Sequence, residues 1–334
     1  MALLAVADLS VSFRTPGGVL TAVRGMSFDV QAGETVAIVG ESGSGKSAAL
    51  LAILGLLPSN GHAAGSVRFG GQELLTAGEA ALGRVRGGQI GMVFQDASGS
   101  LNPTMTVGAQ VAEVAARHLD LGPRAALAYA RAVLGAVGLE PPRRRAGEYP
   151  GRWSGGMRRR AALAIALAGR PRLLLADEPT AGLDATVARA VLDRLDRLRS
   201  EAGMAAVLVS HDLGVVASVA DRVLIAYAGR IVEQGSVGDI FARAAHPYTA
   251  ALLGALPGRG VLRPIPGGTP DPRYLGPGCA FAARCHQAVR GCALAEPAAY
   301  PAPGEDGHSA RCWLWHPDAP APLRPGRGGG HVGP

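Results

Sequence analysis

Long apolar runs, aromatic residues, cysteine and lysine are all scarce in this 334-residue chain. The longest apolar runs, at 48–57 and 173–176, fall short of the roughly 20 residues that a membrane-spanning helix needs. The N-terminus has no positively charged segment ahead of its apolar residues, so the sequence predicts neither a signal peptide nor a membrane span. All four cysteines lie in the last fifth of the chain, which favours a local site over a disulfide framework.

The charge is basic, with a formal net charge of +7, and many arginines crowd into residues 143–160. Such a patch could attract nucleic acid or an anionic membrane surface. Binding of single strands also needs aromatic platforms for the bases, and aromatic residues make up only 4% of this chain. We therefore expect no nucleic-acid partner.

Lys46 is the only lysine, although lysine and arginine together number 33. It lies in Gly40–Ser47, with the sequence GESGSGKS, which fits the phosphate-loop pattern G-x-x-x-x-G-K-[ST]. The aliphatic segment Thr35–Val39 predicts a buried strand, and the apolar segment Ser47–Leu57 predicts a helix that is ended by Pro58. Strand, loop and helix thus follow one another in the order that a phosphate loop requires.

The loop predicts a site for ATP and Mg²⁺. Backbone N–H groups that open onto a helix N-terminus would cradle the phosphates, Lys46 would reach the β- and γ-phosphates, and the Ser47 hydroxyl would bind Mg²⁺. Glycines leave room for the close approach of the backbone. The nucleotide-binding residues predicted in this loop are Gly40, Glu41, Ser42, Gly43, Ser44, Gly45, Lys46 and Ser47.

A second motif is LLLADEPT at Leu173–Thr180, an aliphatic strand that delivers two carboxylates to its carboxyl end. Asp177 would hold the magnesium shell, and Glu178 would orient or deprotonate an attacking water. A surface turn after a core strand is the ordinary alternative for such a pair. The phosphate loop in the same chain argues against that alternative.

The remaining patterns indicate an α/β chain with an irregular C-terminal part. Strand character is predicted at 3–38, 66–95, 173–176, 206–209 and, as a hairpin, 223–234. Helices are predicted at 109–118, 124–137, 157–168, 185–202 and in the stretch up to about residue 255. Proline and glycine become frequent from residue 256, and residues 317–334 are expected to be disordered.

Ser154-Gly155-Gly156 lies between the two motifs, and with this segment the chain resembles the nucleotide-binding subunits of ABC transporters. In that family a segment of the form LSGGQ opens a helix and contacts the γ-phosphate held by the other subunit. The resemblance implies this role for Ser154, Gly155 and Gly156. Trp153 stands where the family has leucine, whereas Met157 at the fifth position is familiar among peptide importers.

Four further positions match the family in order and spacing. Gln95 resembles the glutamine that senses magnesium and the transmembrane partner, and His211 would contact the γ-phosphate and the attacking water. Asp184 belongs to a segment resembling the loop that couples the two nucleotide sites, and Phe13 would stack on the adenine ring. The catalytic residues implied are Glu178, His211 and Gln95, and the magnesium ligands implied are Ser47, Gln95 and Asp177.

Three other segments, at Phe94–Pro103, 148–160 and His246–Leu253, resemble the ATPase subunits of oligopeptide and dipeptide importers. The implied architecture is an ABC-type P-loop NTPase domain at 1–240, with a RecA-like core, an antiparallel β subdomain and a helical subdomain at about 96–168. A cysteine-containing extension at 241–316 and a tail at 317–334 would follow.

The resemblance implies an ATP-hydrolysing subunit that powers peptide uptake at the cytoplasmic face of the membrane. Its implied partners are a second ABC ATPase subunit, two transmembrane permeases and, indirectly, an extracytoplasmic solute-binding protein. Nickel or another small solute is an alternative substrate within the same family. A soluble ABC ATPase acting on nucleic acid or ribosomes is an alternative from another class.

Cys279, Cys285, Cys292 and Cys312 have the spacing of neither a zinc ribbon nor a common ferredoxin. Four thiolates in a segment with little aliphatic mass could still order that segment around a metal. The resemblance implies a [4Fe–4S] cluster here, and zinc or free thiols are the alternatives.

Overall fold

The computed structural model describes residues 2–96, 99–181, 185–256 and 265–318. The strands in these residues are β1 (Leu4–Thr15), β2 (Gly18–Val30), β3 (Thr35–Val39), β4 (Gly61–Phe69), β5 (Gln72–Glu73), β6 (Ile90–Val93), β7 (Leu173–Asp177), β8 (Ala205–Ser210), β9 (Arg222–Tyr227), β10 (Arg230–Ser236), β11 (Tyr300–Pro301) and β12 (Ser309–Ala310).

The α-helices in the same residues are α1 (Lys46–Ile53), α2 (Glu79–Val85), α3 (Val107–Leu119), α4 (Pro123–Ala136), α5 (Pro142–Ala146), α6 (Gly155–Leu167), α7 (Ala185–Ala202), α8 (Leu213–Val219), α9 (Val237–Arg243), α10 (Pro247–Gly254) and α11 (Arg290–Leu294). Within the described part of the chain, no helix combines the length and the apolar character needed to cross a membrane.

The N-terminal strands form an antiparallel sheet in the order β2-β1-β4-β5. The predicted turn after Thr15 closes the hairpin, in which Thr15 pairs with Gly18. Alternate residues of β1 and β2 are buried, as the period of a half-exposed strand requires. Their buried side chains pack with α1 in one hydrophobic cluster, so this sheet supports the helix that follows the phosphate loop.

The second sheet has the order β11-β12-β10-β9-β3-β8-β7-β6. Strands β6, β7, β8, β3 and β9 are parallel, and all residues of β3, β7 and β8 are buried. Continuous aliphatic strands of this kind are covered by helices on both faces. Because parallel strands end at one edge, the residues that follow β3, β7 and β8 come together there.

Helices α3, α4 and α6 pack together as a helical layer and share a hydrophobic cluster with β6 and β7. Their alanine-rich faces allow close packing, and Trp153, buried to 4% exposure, supplies the large side chain of this layer. The helices lie within one to two residues of their predicted positions at 109–118, 124–137 and 157–168.

The C-terminal extension packs against the core sheet. Strand β12 pairs with β10, and β11 pairs with β12. Phe281 of the extension lies in one hydrophobic cluster with Tyr227 of β9 and Tyr248 of α10. The Tyr227 and Tyr248 rings are 4.5 Å apart between centroids, and Phe281 lies 5.4 Å from each of them.

Two local predictions differ from the structure. Helix α1 ends at Ile53 because Gly55 adopts φ of +61° and the Leu56 N–H donates to the Leu51 carbonyl, a glycine-terminated helix end. The stretch predicted as strand at 66–95 contains the short helix α2, whose Leu82 and Val85 side chains are buried.

Candidate nucleotide-binding site

The phosphate loop connects the buried strand β3 to α1, as its sequence predicts. A Cβ atom at Gly40 would overlap the carbonyl oxygen of Ala226, and one at Gly45 would overlap that of Ala22. Gly45 is also the N-cap of α1, with φ of +93°, a conformation that glycine adopts without strain. The glycines therefore let the loop lie directly against two neighbouring strands with its N–H groups at a helix N-terminus.

Lys46 spans this loop from within. Its Nζ donates to the carbonyl oxygens of Gly40 and Glu41, both at 2.8 Å, and to Ser44 Oγ at 3.2 Å. Burial lowers the pKa of Lys46, while the nearby carboxylates of Glu178, Asp177 and Glu41 oppose that change. The single ammonium of the chain is thus held where it can meet phosphate oxygens.

Asp177 and Ser47 form the arrangement expected for a magnesium site. Asp177 ends β7, is buried to 4% exposure, and makes a hydrogen bond with Ser47. Burial, with the neighbouring charge of Glu178, raises the pKa of Asp177. Its Oδ1 is buried without a hydrogen-bond partner among the described residues. Mg²⁺ takes hard oxygen donors, and the Ser47 hydroxyl and the Asp177 carboxylate, with its unpaired Oδ1, are donors of this kind. These residues therefore fit the ion.

Glu178 and His211 lie next to each other beyond the ends of β7 and β8. His211 Nδ1 is 3.3 Å from Glu178 Oε1, and the imidazole is 64% exposed. Glu178 has φ of +46°, a strained conformation for a residue other than glycine. Its N–H donates to the Val209 carbonyl, which holds the residue against β8. This arrangement presents a carboxylate and an imidazole together at the open edge of the sheet.

A cavity of about 300 Å³ opens beside Glu178. It is lined by the loop from Ser42 to Ala48 and by Gln95, Glu178, Leu20, Ala22 and Pro272. Gln95 follows β6 and reaches the cavity from the side of the helical layer. The structure therefore brings most of the phosphate loop, Gln95 and Glu178 around one open space, and His211 lies beside Glu178.

A larger cavity, about 480 Å³, lies at the opposite edge of the sheet. Apolar side chains such as Val133, Leu198 and Met204 form most of its wall. None of the predicted site residues lines it within the described part of the chain. The chemistry favours the smaller cavity because Lys46, Ser47 and Glu178 line it.

Ser154 lies apart from this cavity, whose described lining includes none of Ser154, Gly155 and Gly156. Ser154 is the N-cap of α6, and its Oγ accepts a hydrogen bond from the Met157 N–H. The segment is exposed or half-buried, so it can meet a ligand on another molecule.

Trp153 sits beneath this helix start without obstructing it. The indole Nε1–H donates to Glu148 Oε2 at 2.8 Å, and the ring is buried in the helical layer. Glu148 also pairs with Arg144 and Arg145. The tryptophan thus replaces leucine as a packing residue and leaves the backbone of the segment free for an anion.

Phe13 does not line the cavity, and neither do Gly40, Glu41, Asp177 and His211, which adjoin residues that do. Phe13 of β1 pairs with Leu20, which lines the cavity, but the Phe13 ring lies against Gly61 and the hydrophobic core. Its stacking on adenine stays a prediction. Asp184 lies outside the described residues.

Two residues that the extension places at this site carry no local sequence signal. Pro272 lines the cavity, and Arg284 makes a two-pronged ion pair with Glu41 of the phosphate loop. Neither belongs to a local motif, because the contact joins residues 243 positions apart.

The four cysteines converge on one small cavity of about 10 Å³, which is close to the space of a single water. Burial raises the pKa of Cys279 to about 11 and that of Cys312 to about 12, so these thiols stay protonated. Among the described residues, no three histidine, cysteine, aspartate or glutamate side chains form a group that could hold a metal. The structure therefore does not support the iron–sulfur or zinc prediction. The thiols as arranged are free, with Cys292 and Cys312 buried and Cys279 and Cys285 half-buried.

The described chain has a parallel sheet in which the phosphate loop follows β3 and the carboxylate pair follows β7, with β8 between them. A helix of the helical layer begins at Ser-Gly-Gly. Together these features define an ABC-type ATPase. Two family models match the chain, ABC transporter at residues 23–181 and oligopeptide/dipeptide transporter, C-terminal region, at residues 232–292. The chain belongs to the ABC transporter family, among the ATP-binding subunits that carry this C-terminal region.

Relatives support the same family. The oligopeptide transport ATP-binding protein OppD of Bacillus subtilis is 44% identical over 325 residues, which cover 95% of this chain and 90% of that protein. OppD of Mycobacterium tuberculosis is 48% identical over 301 residues, covering 88% of this chain. The chain spans about half the length of that mycobacterial protein, 49%.

A solved structure shares the fold. It is the dimeric, post-hydrolysis state of an ATP-binding cassette bound to ADP and Pi, with 27% identity and a TM-score of 0.64. The match covers 70% of this chain and 98% of that one. The predicted ABC-type fold is confirmed.

Proposed function

We propose that this chain is the ATP-hydrolysing subunit of an importer for oligopeptides or dipeptides. The observation that carries the proposal is that Lys46, Ser47, Gln95 and Glu178 line one cavity at the carboxyl edge of the sheet. Asp177 is hydrogen-bonded to Ser47 beside it, and His211 lies 3.3 Å from Glu178. The C-terminal region matched by the family model and the names of the relatives support the peptide substrate.

Each group has a role that follows from its chemistry. The loop N–H groups and Lys46 bind and orient the phosphates, and Ser47 and Asp177 hold the magnesium ion, which screens the phosphate charge when bound. Glu178 accepts a proton from, or orients, the attacking water. His211, 3.3 Å away, positions that water and the γ-phosphate.

The site becomes complete only with a second ATPase subunit. Ser154, Gly155 and Gly156 lie outside the cavity of their own chain, and their helix N-terminus suits a γ-phosphate. We propose that they contact the nucleotide held by the other subunit, and that Asp184 lies in the loop that couples the two sites. The dimeric state of the solved neighbour supports this arrangement.

Gln95 and the helical layer after it would transmit closure of the dimer to two membrane-spanning permeases. The chain would then lie on the cytoplasmic face of the membrane, with an extracytoplasmic binding protein delivering the peptide. Co-purification of the tagged chain with the two permeases tests this placement. Recovery of the chain with ribosomes or nucleic acid in their place would favour the alternative class.

The first test of the chemistry is Glu178→Gln, which keeps the shape of the side chain and removes its charge. We expect ATP to bind normally while steady-state hydrolysis falls by about a hundredfold or more, trapping a closed dimer. Size-exclusion chromatography with ATP and a phosphate-release assay measure the two effects. Glu201→Gln, at the exposed end of α7, is the matched control. Retained turnover in Glu178→Gln would remove Glu178 from its role.

The second test is Lys46→Ala. Loss of the buried ammonium should weaken ATP binding, because the loop then has no positively charged side chain to bind the phosphates. Isothermal titration with ATP measures the affinity. ATP binding as tight as in the unaltered protein would contradict the assignment of the loop.

The peptide substrate needs a cellular test. Uptake of defined dipeptides, oligopeptides and Ni²⁺ is compared in cells with and without the chain. Loss of peptide uptake alone supports the proposal, and loss of Ni²⁺ uptake alone would replace it with the small-solute alternative.

A metal at the four cysteines remains a proposal that the convergence of the thiols supports and the size of their cavity opposes. A cluster would require this segment to open around it. Anaerobic purification followed by iron, sulfide and zinc analysis decides the matter. Four iron atoms for each chain would establish the cluster, and absence of all three would leave free thiols.

A further inference from the structure

Three side chains of the C-terminal extension hold one residue of the phosphate loop, Glu41. Tyr248 Oη accepts a hydrogen bond from the Glu41 N–H at 3.0 Å. Thr269 Oγ1 donates to Glu41 Oε2 at 2.7 Å, and Arg284 donates to both carboxylate oxygens, at 2.9 and 3.0 Å. We call Tyr248, Thr269 and Arg284 the brace.

The guanidinium of Arg284 is fixed on every side. Its Nε donates to the Pro266 carbonyl at 2.8 Å, and its Nη1 also donates to Tyr227 Oη at 3.1 Å. The guanidinium carbon lies 5.8 Å from the ring centroids of Tyr227 and Phe281. Its side chain is 8% exposed, so this is a shielded, two-pronged pair rather than a loose surface contact.

Glu41 connects the brace to Lys46, the lysine of the phosphate loop. Its carbonyl oxygen accepts a hydrogen bond from Lys46 Nζ, while its N–H and carboxylate are held by the brace. The charges of Glu41 and Lys46 are close enough to shift each other's pKa. A displacement of Glu41 therefore moves an acceptor that positions the ammonium.

The brace also keeps the Glu41 carboxylate ionised and compensates its charge. Burial opposes ionisation of Glu41, but the hydrogen bonds from Arg284 and Thr269 outweigh burial and keep its pKa below the ordinary value. Without Arg284 the half-buried Glu41 carboxylate would keep only the Thr269 hydrogen bond and the charge of Lys46 to offset its repulsion of a bound polyanion.

From this geometry we propose that Arg284 is a positioning residue for nucleotide binding. Through its ion pair with Glu41 it holds the phosphate loop in place and compensates the charge of the Glu41 carboxylate. Nothing in the phosphate-loop motif requires this contact, which the extension supplies from outside the nucleotide-binding core. The inference rests on the proposed ATPase function and adds that the extension sets ATP affinity.

The experiment compares four purified full-length proteins with the unaltered chain: Arg284→Gln, Glu41→Gln, the double variant, and the control Arg290→Gln. Arg290 is an exposed arginine at the start of α11 in the same extension. The Kd for ATP and the KM and kcat of hydrolysis are measured well below the melting temperature of each protein.

Arg284→Gln should raise Kd and KM for ATP about tenfold, the effect of one uncompensated charge at a partly shielded site, and leave kcat within about threefold. Glu41→Gln in the same chain should recover most of that loss because the unpaired carboxylate is gone. A role confined to stability would lower the melting temperature without this recovery of affinity.

The outcomes separate the two proposals. Failure of the unaltered chain to bind ATP would remove the proposed function. Normal ATP affinity in Arg284→Gln, alongside ATP binding by the unaltered chain, would overturn only the positioning role. Should Arg284→Gln not fold, Tyr248→Phe tests the same brace, because it deletes the acceptor of the Glu41 N–H and should raise the Kd about threefold. An unchanged Kd in Tyr248→Phe would then count against the proposal.

Discussion

The buried pair His308–Glu233 makes the docking of the extension sensitive to pH. His308 Nε2 lies 2.9 Å from Glu233 Oε1, His308 Nδ1 lies 2.6 Å from the Pro303 carbonyl, and the side chains of the pair are fully buried. Because both neighbours are acceptors, both contacts are satisfied when the imidazole is protonated and both ring nitrogens donate. Glu233 also accepts the N–H groups of Ala245 and His246, ahead of α10.

The variant His308→Gln removes the charge that balances Glu233. Breaking a buried pair costs about 3–5 kcal/mol, and the two backbone donors that remain on Glu233 place this case near the lower value. Unfolding entropy is about 2.1 cal/mol/K for each residue. For cooperative unfolding of 334 residues, a loss of about 3 kcal/mol lowers Tm by about 4 °C.

The same pair predicts the direction of the pH dependence. Burial alone would lower the pKa of His308, but the hydrogen bonds to Glu233 and Pro303 outweigh it, and Asp239 adds to them, so the pKa lies above 6.5. Arg243 pairs with Asp239 from α9 and reduces the effect of that carboxylate. The stabilisation is complete below pH 6.5 and is lost as pH rises through the folded-state pKa.

Differential scanning calorimetry of both proteins from about pH 5.5 to about pH 9 checks this prediction. The Tm difference should be largest at the acid end and shrink towards the alkaline end. Adding Glu233→Gln to His308→Gln should restore part of the loss, because a neutral amide needs no counter-charge. A Tm difference that is constant with pH, or a double variant no more stable than His308→Gln, would refute the reasoning.

Three further substitutions test the site and its surroundings. Gly40→Ala should reduce ATP affinity at least about tenfold in titration, since the added methyl overlaps the Ala226 carbonyl and displaces the loop. Unchanged affinity would mean that the loop need not lie against that strand. Trp153→Leu should lower the free energy of unfolding by about 1–2 kcal/mol in chemical denaturation, because the hydrogen bond to Glu148 and some packing are lost, and ATP affinity should be unaltered. A fall in ATP affinity would mean that the ring contributes to nucleotide binding. Asp177→Asn should raise the Mg²⁺ concentration for half-maximal hydrolysis about tenfold or more, and an unshifted Mg²⁺ titration would exclude Asp177 from the magnesium site.

Much of the nucleotide site could be predicted because its chemistry is local. The phosphate loop places eight consecutive residues, Gly40 to Ser47, between one strand and one helix. Glu178 and His211 each follow a short aliphatic run, and parallel strands bring such ends to one edge. The helices at 107–119 and 155–167 have lengths and alanine-rich patterns that identify them without tertiary information.

Contacts of long sequence separation could not be predicted. Arg284 and Glu41 are 243 positions apart, and an arginine in a region rich in proline and glycine carries no local signal of its partner. The HPYTAALL segment was recognised as a family feature, yet only the fold shows that its Tyr248 accepts the Glu41 N–H. Four cysteines in a segment with little aliphatic mass likewise predict a metal, whereas packing leaves a cavity of only about 10 Å³ between them.

The strands of the extension have a consequence for shortened forms of the protein. Strand β12 covers the side of β10, and β11, two residues long and ending in Pro301, follows it as the outermost strand. A short terminal strand with proline is a poor template for pairing with another molecule. A chain cut after residue 240 would expose the N–H and C=O groups of β10, and we expect it to aggregate by intermolecular strand pairing. The extension therefore also protects the solubility of the ATPase to which it is attached.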